Sequence, residues 1–288
     1  MSKVKIGIIQ AEADKNPAVN HAKALLKIRQ AARRGAKIIC LQELYQTLYF
    51  CQKEEHKNFD YAVPAKGPLI QDFAALAGEL KVVLVIPFFE RRAAGVYHNS
   101  AAVIDADGSI LGLYRKMHIP DDPNFYEKFY FTPGDLGFKV FKTRYGRISV
   151  LICWDQWYPE GARLAALKGA QILFYPTAIG WHDADKKAAP DQKIAWETIQ
   201  RSHAIANGVF VASPNRVGRE GKLNFWGRSF ISGPFGNVLT QAGEKREEIL
   251  IAECDLKQIE TVRQHWPFLR DRRIDAYGPI TSRFIDES

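Results

Sequence analysis

Two apolar, β-branched runs at 4–10 and 37–42 enclose a single stretch of helical period at 21–34. Neighbouring strands joined by such a helix run parallel, because the crossover returns the chain to the same end of the sheet. The helix closes on Arg33-Arg34-Gly35, two basic residues that complement the helix dipole and a glycine suited to the left-handed cap. A chain that begins this way is committed to an α/β architecture.

The alternation continues. A helix is predicted at 69–80 and a strand at 82–88, and runs at 98–104 and 109–114 flank Asp107-Gly108, a two-residue hairpin signal that makes the sheet mixed. After a Pro- and Asp-rich loop near 120–136, strands are expected at 138–142 and 147–152, a helix at 159–168, a strand at 171–175 and a helix at 192–207. Further strands fall near 209–212, 225–231 and 248–253. This count allows either a three-layer α/β fold or two mixed sheets packed face to face with helices outside. No internal repeat or low-complexity segment divides the chain, so one domain over 1–288 is expected. Residues 265–288, rich in aromatics, arginines and prolines, read as a C-terminal arm that docks on its own chain or at a subunit contact.

Composition excludes several classes of function. With 47% hydrophobic and 25% charged residues, the chain can build a core without metal or disulfides. No apolar stretch approaches the length of a membrane span and the first residues carry no secretory pattern, so a soluble cytoplasmic protein is expected. Cys40, Cys51, Cys153 and Cys254 form no CxxC pair and read as reduced thiols. The net charge of +8 is spread along the chain, which describes a basic solvated surface and not a nucleic-acid interface. The histidines lack HExxH, HxE or PCxxC spacing, and neither GxGxxG nor GxxxxGK[ST] occurs. No metal, dinucleotide or other cofactor is expected.

Three positions carry candidate chemistry. The run at 147–152 leads into Cys153-Trp154-Asp155 and then Tyr158-Pro159-Glu160, which opens a helix. A thiol on such a strand-to-helix turn is presented as a nucleophile, with the following Trp154 N–H near an oxyanion; otherwise it is a small buried hydrophobe. Glu43 directly follows a run that should be buried, so it either ends a strand in solvent or sits in a pocket as a general base. Lys116 follows the strand at 109–114; a fixed ammonium there could hold an oxyanion and help depress a thiol pKa. His118 raises a competing Cys–His arrangement, for which the sequence places no Asn or Asp partner.

Together LQELY, RKMHIP and CWDQWYPEGARLAALKGA, in this order, resemble the nitrilase superfamily of carbon–nitrogen hydrolases over essentially the whole chain. The resemblance implies a four-layer α-β-β-α sandwich, catalytic roles for Glu43, Lys116 and Cys153, a second acid at Glu127 in NFYEKFYFTPGD, and homo-oligomers built from dimers. Within the superfamily, CWDQWYPE, FYPTAIG and NRVG imply hydrolysis of N-carbamoylputrescine to putrescine, ammonia and carbon dioxide. The alternatives are a carbamoyl-β-amino acid, an ω-amide or a nitrile as substrate, or a non-catalytic binding subunit. A cationic tail would be met by acids such as Asp155 and Asp183 and by the faces of Tyr49, Trp154 and Trp181.

Overall fold

The run at 4–10 forms β1 (Lys3–Gln10), parallel to β2 (Ile38–Cys40), in a computed structural model that describes residues 3–182 and 189–285. The helix between them, α1 (Pro17–Arg33), begins a turn before its apolar period does. Asn16 caps it by accepting the Ala18 N–H, and Pro17 takes the first helical position, where its missing N–H leaves nothing unsatisfied. Next, α2 (Pro68–Leu80) leads to β3 (Val83–Ala93), parallel to β2. Antiparallel β4 (Val96–Ile104) and β5 (Ile110–Arg115) follow, joined through a turn at Asp107-Gly108 in which the Asp105 N–H donates to Ser109 C=O. On the far edge β15 (Glu248–Asp255) pairs antiparallel with β1 and completes a six-stranded sheet.

A second six-stranded sheet is built alike. Its three parallel strands are β7 (Gly146–Val150), β8 (Ile172–Phe174) and β10 (Phe210–Ser213), connected through α3 (Pro159–Leu167) and α4 (Ala189–Asn207). Antiparallel β6 (Phe141–Thr143) lies on one side, and β13 (Phe230–Ser232) with β14 (Val238–Gln241) on the other.

The two sheets share one core, where Ile6, Ile8, Val83 and Val103 meet Ile148, Val150, Ile172 and Phe174. The opposite face of the first sheet, through Ile39, Leu84 and Ile86, takes Ile28 and Ala31 of α1 and Ile70 and Phe73 of α2. On the second sheet α3 contributes Ala162 and Ala165, and α4 packs beside α3 and β10. The four-layer arrangement is therefore present.

One expected strand is two. The run at 225–231 divides into β12 (Leu223–Trp226) and β13, which belong to different sheets. The break is at Gly227 and Arg228, both left-handed at φ 60° and 55°. A Cβ at Gly227 would stand 2.7 Å from the Gly243 carbonyl oxygen, so only glycine fits. With β9 (Gly180–His182) and β11 (Val217–Glu220), β12 forms a three-stranded sheet that apolar period does not reveal. Beyond α5 (Lys257–His265) the arm leaves Trp266, Phe268, Ile274, Ile280 and Phe284 exposed. Among the described residues no helix is long and apolar enough to cross a membrane, and no group of His, Cys, Asp and Glu could hold a metal ion.

Candidate active site

Strand ends deliver the three candidates. Glu43 follows β2, Lys116 follows β5, and Cys153 follows β7. Glu43 and Lys116 have no solvent exposure, Glu127 has 1% and Cys153 has 6%. Lys116 Nζ donates to Glu43 Oε1 at 2.8 Å and to Glu127 Oε2 at 2.6 Å. The Tyr49 hydroxyl donates to the other Glu127 oxygen at 2.7 Å, and Asn99 Nδ2 donates to Glu43 Oε1 at 2.7 Å. Glu43 Oε2 is buried and has no hydrogen-bond partner among the described residues. A buried carboxylate oxygen left free in this way is a proton acceptor in waiting.

Cys153 stands at φ 43°, a left-handed conformation that costs a non-glycine residue about 1–2 kcal/mol. Its turn is fastened by its own N–H donating to Pro176 C=O at 3.0 Å, and by Asp155. That carboxylate accepts the Ile152 N–H, the Tyr114 hydroxyl, the His118 N–H and His118 Nδ1 at 2.6–3.0 Å. Tyr114 and His118 flank Lys116, so Asp155 fixes the thiol turn to the strand end that carries the ammonium. This corrects the expectation that Asp155 meets the substrate, because its oxygens are committed inside the protein. His118, stacked on Tyr158 at 3.7 Å, is likewise engaged by Asp155.

Glu43 is also held through its backbone. Leu44 is left-handed at φ 47°, and the fully buried Arg216 binds the carbonyls of Glu43, Leu44 and Thr47 at 2.7–3.1 Å. Arg216 pairs with Glu220, whose carboxylate accepts the Tyr49 N–H. One guanidinium thus organises the turn carrying both Glu43 and the tyrosine that holds Glu127. The TPGD segment has a comparable task. Gly134 donates its N–H to Lys116 C=O, and a Cβ there would meet the Arg115 carbonyl oxygen at 2.2 Å.

Charge distribution in the cluster corrects a second expectation. Burial and the Glu43 carboxylate push the Cys153 thiol well up, and Lys116 opposes them without prevailing. The candidate nucleophile therefore rests as a neutral thiol, and any attack by its sulfur requires the proton to leave as the bond forms. Burial opposes the charge on Lys116, yet Glu127 and Glu43 hold its ammonium well above the usual lysine value. Glu127 is pushed up to about 6, by burial first and then by Glu43, against the pull of Lys116.

As pH falls through about 6, Glu127 takes a proton and loosens its hold on Lys116, so kcat/KM is expected to fall about tenfold per unit below that point. The folded value lies above the ~4.3 of an unfolded glutamate. Between these values the folded state binds the extra proton, and the stability contributed by this group rises as pH falls. His98 and His203, whose values burial lowers, pull the other way, which makes activity the clean readout. In Glu127→Gln the residual activity should be low and flat over this range; an acid limb that persists in this variant assigns the titration to another group.

The expected substrate contacts are placed as follows. Tyr49 is buried and spends its hydroxyl on Glu127. Trp154 is partly exposed and lies edge-on to Trp157. Trp181 packs on Trp226 and carries Lys193 Nζ 4.8 Å from its ring centre, so a cation of the chain itself already sits on it. Asp183 lies outside the described residues. Asn99, Arg216 and Glu220 were not among the candidates. The available signal for Asn99 was His98-Asn99-Ser100, three polar residues inside a strand that must be buried.

The carbon–nitrogen hydrolase family model matches residues 5–264. Over 285 residues, 96% of this chain and 94% of the relative, the sequence is 47% identical to an N-carbamoylputrescine amidase of Oryza sativa subsp. japonica. It is 42% identical to a citrullinase of Francisella tularensis over 99% of this chain and 100% of that protein. The crystal structure of a carbon–nitrogen hydrolase from Helicobacter pylori G27 is 48% identical, with a TM-score of 0.95 over 98% of this chain and 100% of that one. The chain belongs to the carbon–nitrogen hydrolase family, the nitrilase superfamily that its three motifs resemble.

Proposed function

We propose that the chain hydrolyses N-carbamoylputrescine to putrescine, ammonia and carbon dioxide, with Cys153 as nucleophile, Glu43 as proton carrier and Lys116 as the oxyanion's counter-charge. The observation that carries the chemistry is a Glu43 carboxylate held through Oε1 by the fully buried Lys116 while its Oε2 has no partner among the described residues. The relatives at 45–47% identity named for this substrate support its identity.

In the first half-reaction the Cys153 sulfur bonds to the carbamoyl carbon while the thiol proton passes to Glu43 Oε2. The carbonyl oxygen becomes an oxyanion facing Lys116 and the Trp154 N–H. Collapse breaks the bond to the terminal nitrogen, which takes the proton from Glu43 and leaves as ammonia. Glu43 then removes a proton from water, which adds to the carbon of the thiocarbamate. The carbamic acid departs, the sulfur recovers its proton, and loss of carbon dioxide yields the diamine.

A second reading is favoured by the full-length match to the citrullinase. Citrulline differs from N-carbamoylputrescine by one carboxylate beside the amine, which would require a cation in the site. Ammonia release from N-carbamoylputrescine, citrulline, N-carbamoyl-β-alanine and an ω-amide decides between them. N-carbamoylputrescine is expected to give a kcat/KM at least about tenfold above the others, corresponding to roughly 1.4 kcal/mol. Preference for citrulline overturns the substrate assignment, and turnover of N-carbamoyl-β-alanine alone overturns the cationic tail.

A further inference from the structure

The geometry points to Asn99 as a positioning residue that confines the proton carried by Glu43 to its Oε2 oxygen. The inference rests on the reading of Glu43 as proton carrier and deepens it. Asn99 lies on β4 without solvent exposure, and it holds both partners of the site. Its backbone carbonyl accepts the Lys116 N–H at 2.8 Å, and its side-chain amide donates to Glu43 Oε1 at 2.7 Å. Lys116 Nζ donates to that same oxygen at 2.8 Å.

The consequence follows from counting lone pairs. A carboxylate oxygen offers two in-plane acceptor sites, and at Oε1 both face an N–H donor. A proton arriving there would confront a donor and lose a charge-assisted hydrogen bond. Oε2 has no partner among the described residues, so it is the oxygen of this carboxyl placed to take the thiol proton and return it to the leaving nitrogen. Without the amide, Oε1 regains a free site, and Glu43 can accept its proton on the oxygen bonded to Lys116. The carboxyl also loses one of the two bonds that fix its rotation. Removing Asn99 should therefore slow both proton transfers while leaving substrate binding nearly intact.

The test uses the full chain with Asn99→Leu, matched in branching but unable to donate, and Asn99→Ala, which removes the donor and opens space where the leucine could clash. Steady-state ammonia release from N-carbamoylputrescine is measured beside Tm, with Glu43→Gln as control. In either folded variant kcat is expected to fall about ten- to a hundredfold, with KM changed less than about threefold. A residue with only a packing role would lower Tm and leave kcat of the folded enzyme unchanged. Wild-type kcat in a folded Asn99 variant, with Glu43→Gln inactive, overturns the role of Asn99 alone. Wild-type kcat in Glu43→Gln overturns the proton-carrier reading on which it rests.

Discussion

Cys153→Ala is expected to remove turnover of N-carbamoylputrescine by about 10⁵–10⁶ in kcat while the protein stays folded. The two halves of this expectation have separate causes. The thiol is neutral at rest and buried, so its removal strands no charge, and the small cavity left behind costs about 1 kcal/mol. Alanine inherits the same left-handed backbone at φ 43°, so the turn held by Asp155 and Pro176 is strained no further. The chemistry, by contrast, loses the atom that forms the covalent intermediate in the proposed mechanism. Mass spectrometry should detect a thiocarbamoyl adduct at position 153 in the parent protein after brief mixing with substrate, and none in the variant. Cys40→Ala and Cys254→Ala, whose thiols lie buried in the core between the sheets, should alter stability and leave kcat near the parent value. Ammonia release by Cys153→Ala at a rate near the parent's would remove the sulfur from the mechanism.

The parts of this site visible in the sequence are those whose chemistry contradicts their surroundings. Glu43 directly follows an apolar run, Lys116 comes just after a strand, and Cys153 precedes a helix-opening proline; each is an anomaly that local pattern exposes. The supporting residues are different, because they are defined by partners distant along the chain. Arg216 recognises three backbone carbonyls of the 43–47 turn, and a carbonyl has no letter in the sequence. Asp155 was legible as an acid beside the nucleophile but not as one already occupied by Tyr114, His118 and Ile152. Fold prediction failed for the same reason at 225–231. The segment is continuously suitable for a strand, and only the left-handed pair Gly227-Arg228, pressed against Gly243, sends its two ends into different sheets.

Lys116→Met is expected to abolish activity and also to destabilise the fold, and the pairing of these losses tests how the cluster manages charge. At rest the ammonium faces two buried carboxylates, at 2.8 Å and 2.6 Å. When the thiol proton reaches Glu43, that carboxyl becomes neutral as the substrate oxygen becomes negative. The total charge around Lys116 is therefore the same before and after attack; one negative neighbour replaces another. In the proposed mechanism this step is an exchange of ion-pair partners within a buried site, where little reorganisation opposes it. Methionine fills the volume of the lysine stem but leaves Glu43 and Glu127 facing each other without a counter-ion, which should cost about 3–5 kcal/mol by urea unfolding. It also withdraws the charge that meets the oxyanion, so kcat should fall by at least about 10³. The double variant Lys116→Met/Glu127→Gln separates the two effects. Neutralising Glu127 removes the surplus carboxylate and should recover much of the lost stability, but no activity, since nothing then stabilises the oxyanion. Recovery of activity in the double variant would mean that Lys116 only holds the carboxylates apart. Unchanged stability in Lys116→Met would mean that the carboxylates share a proton without it.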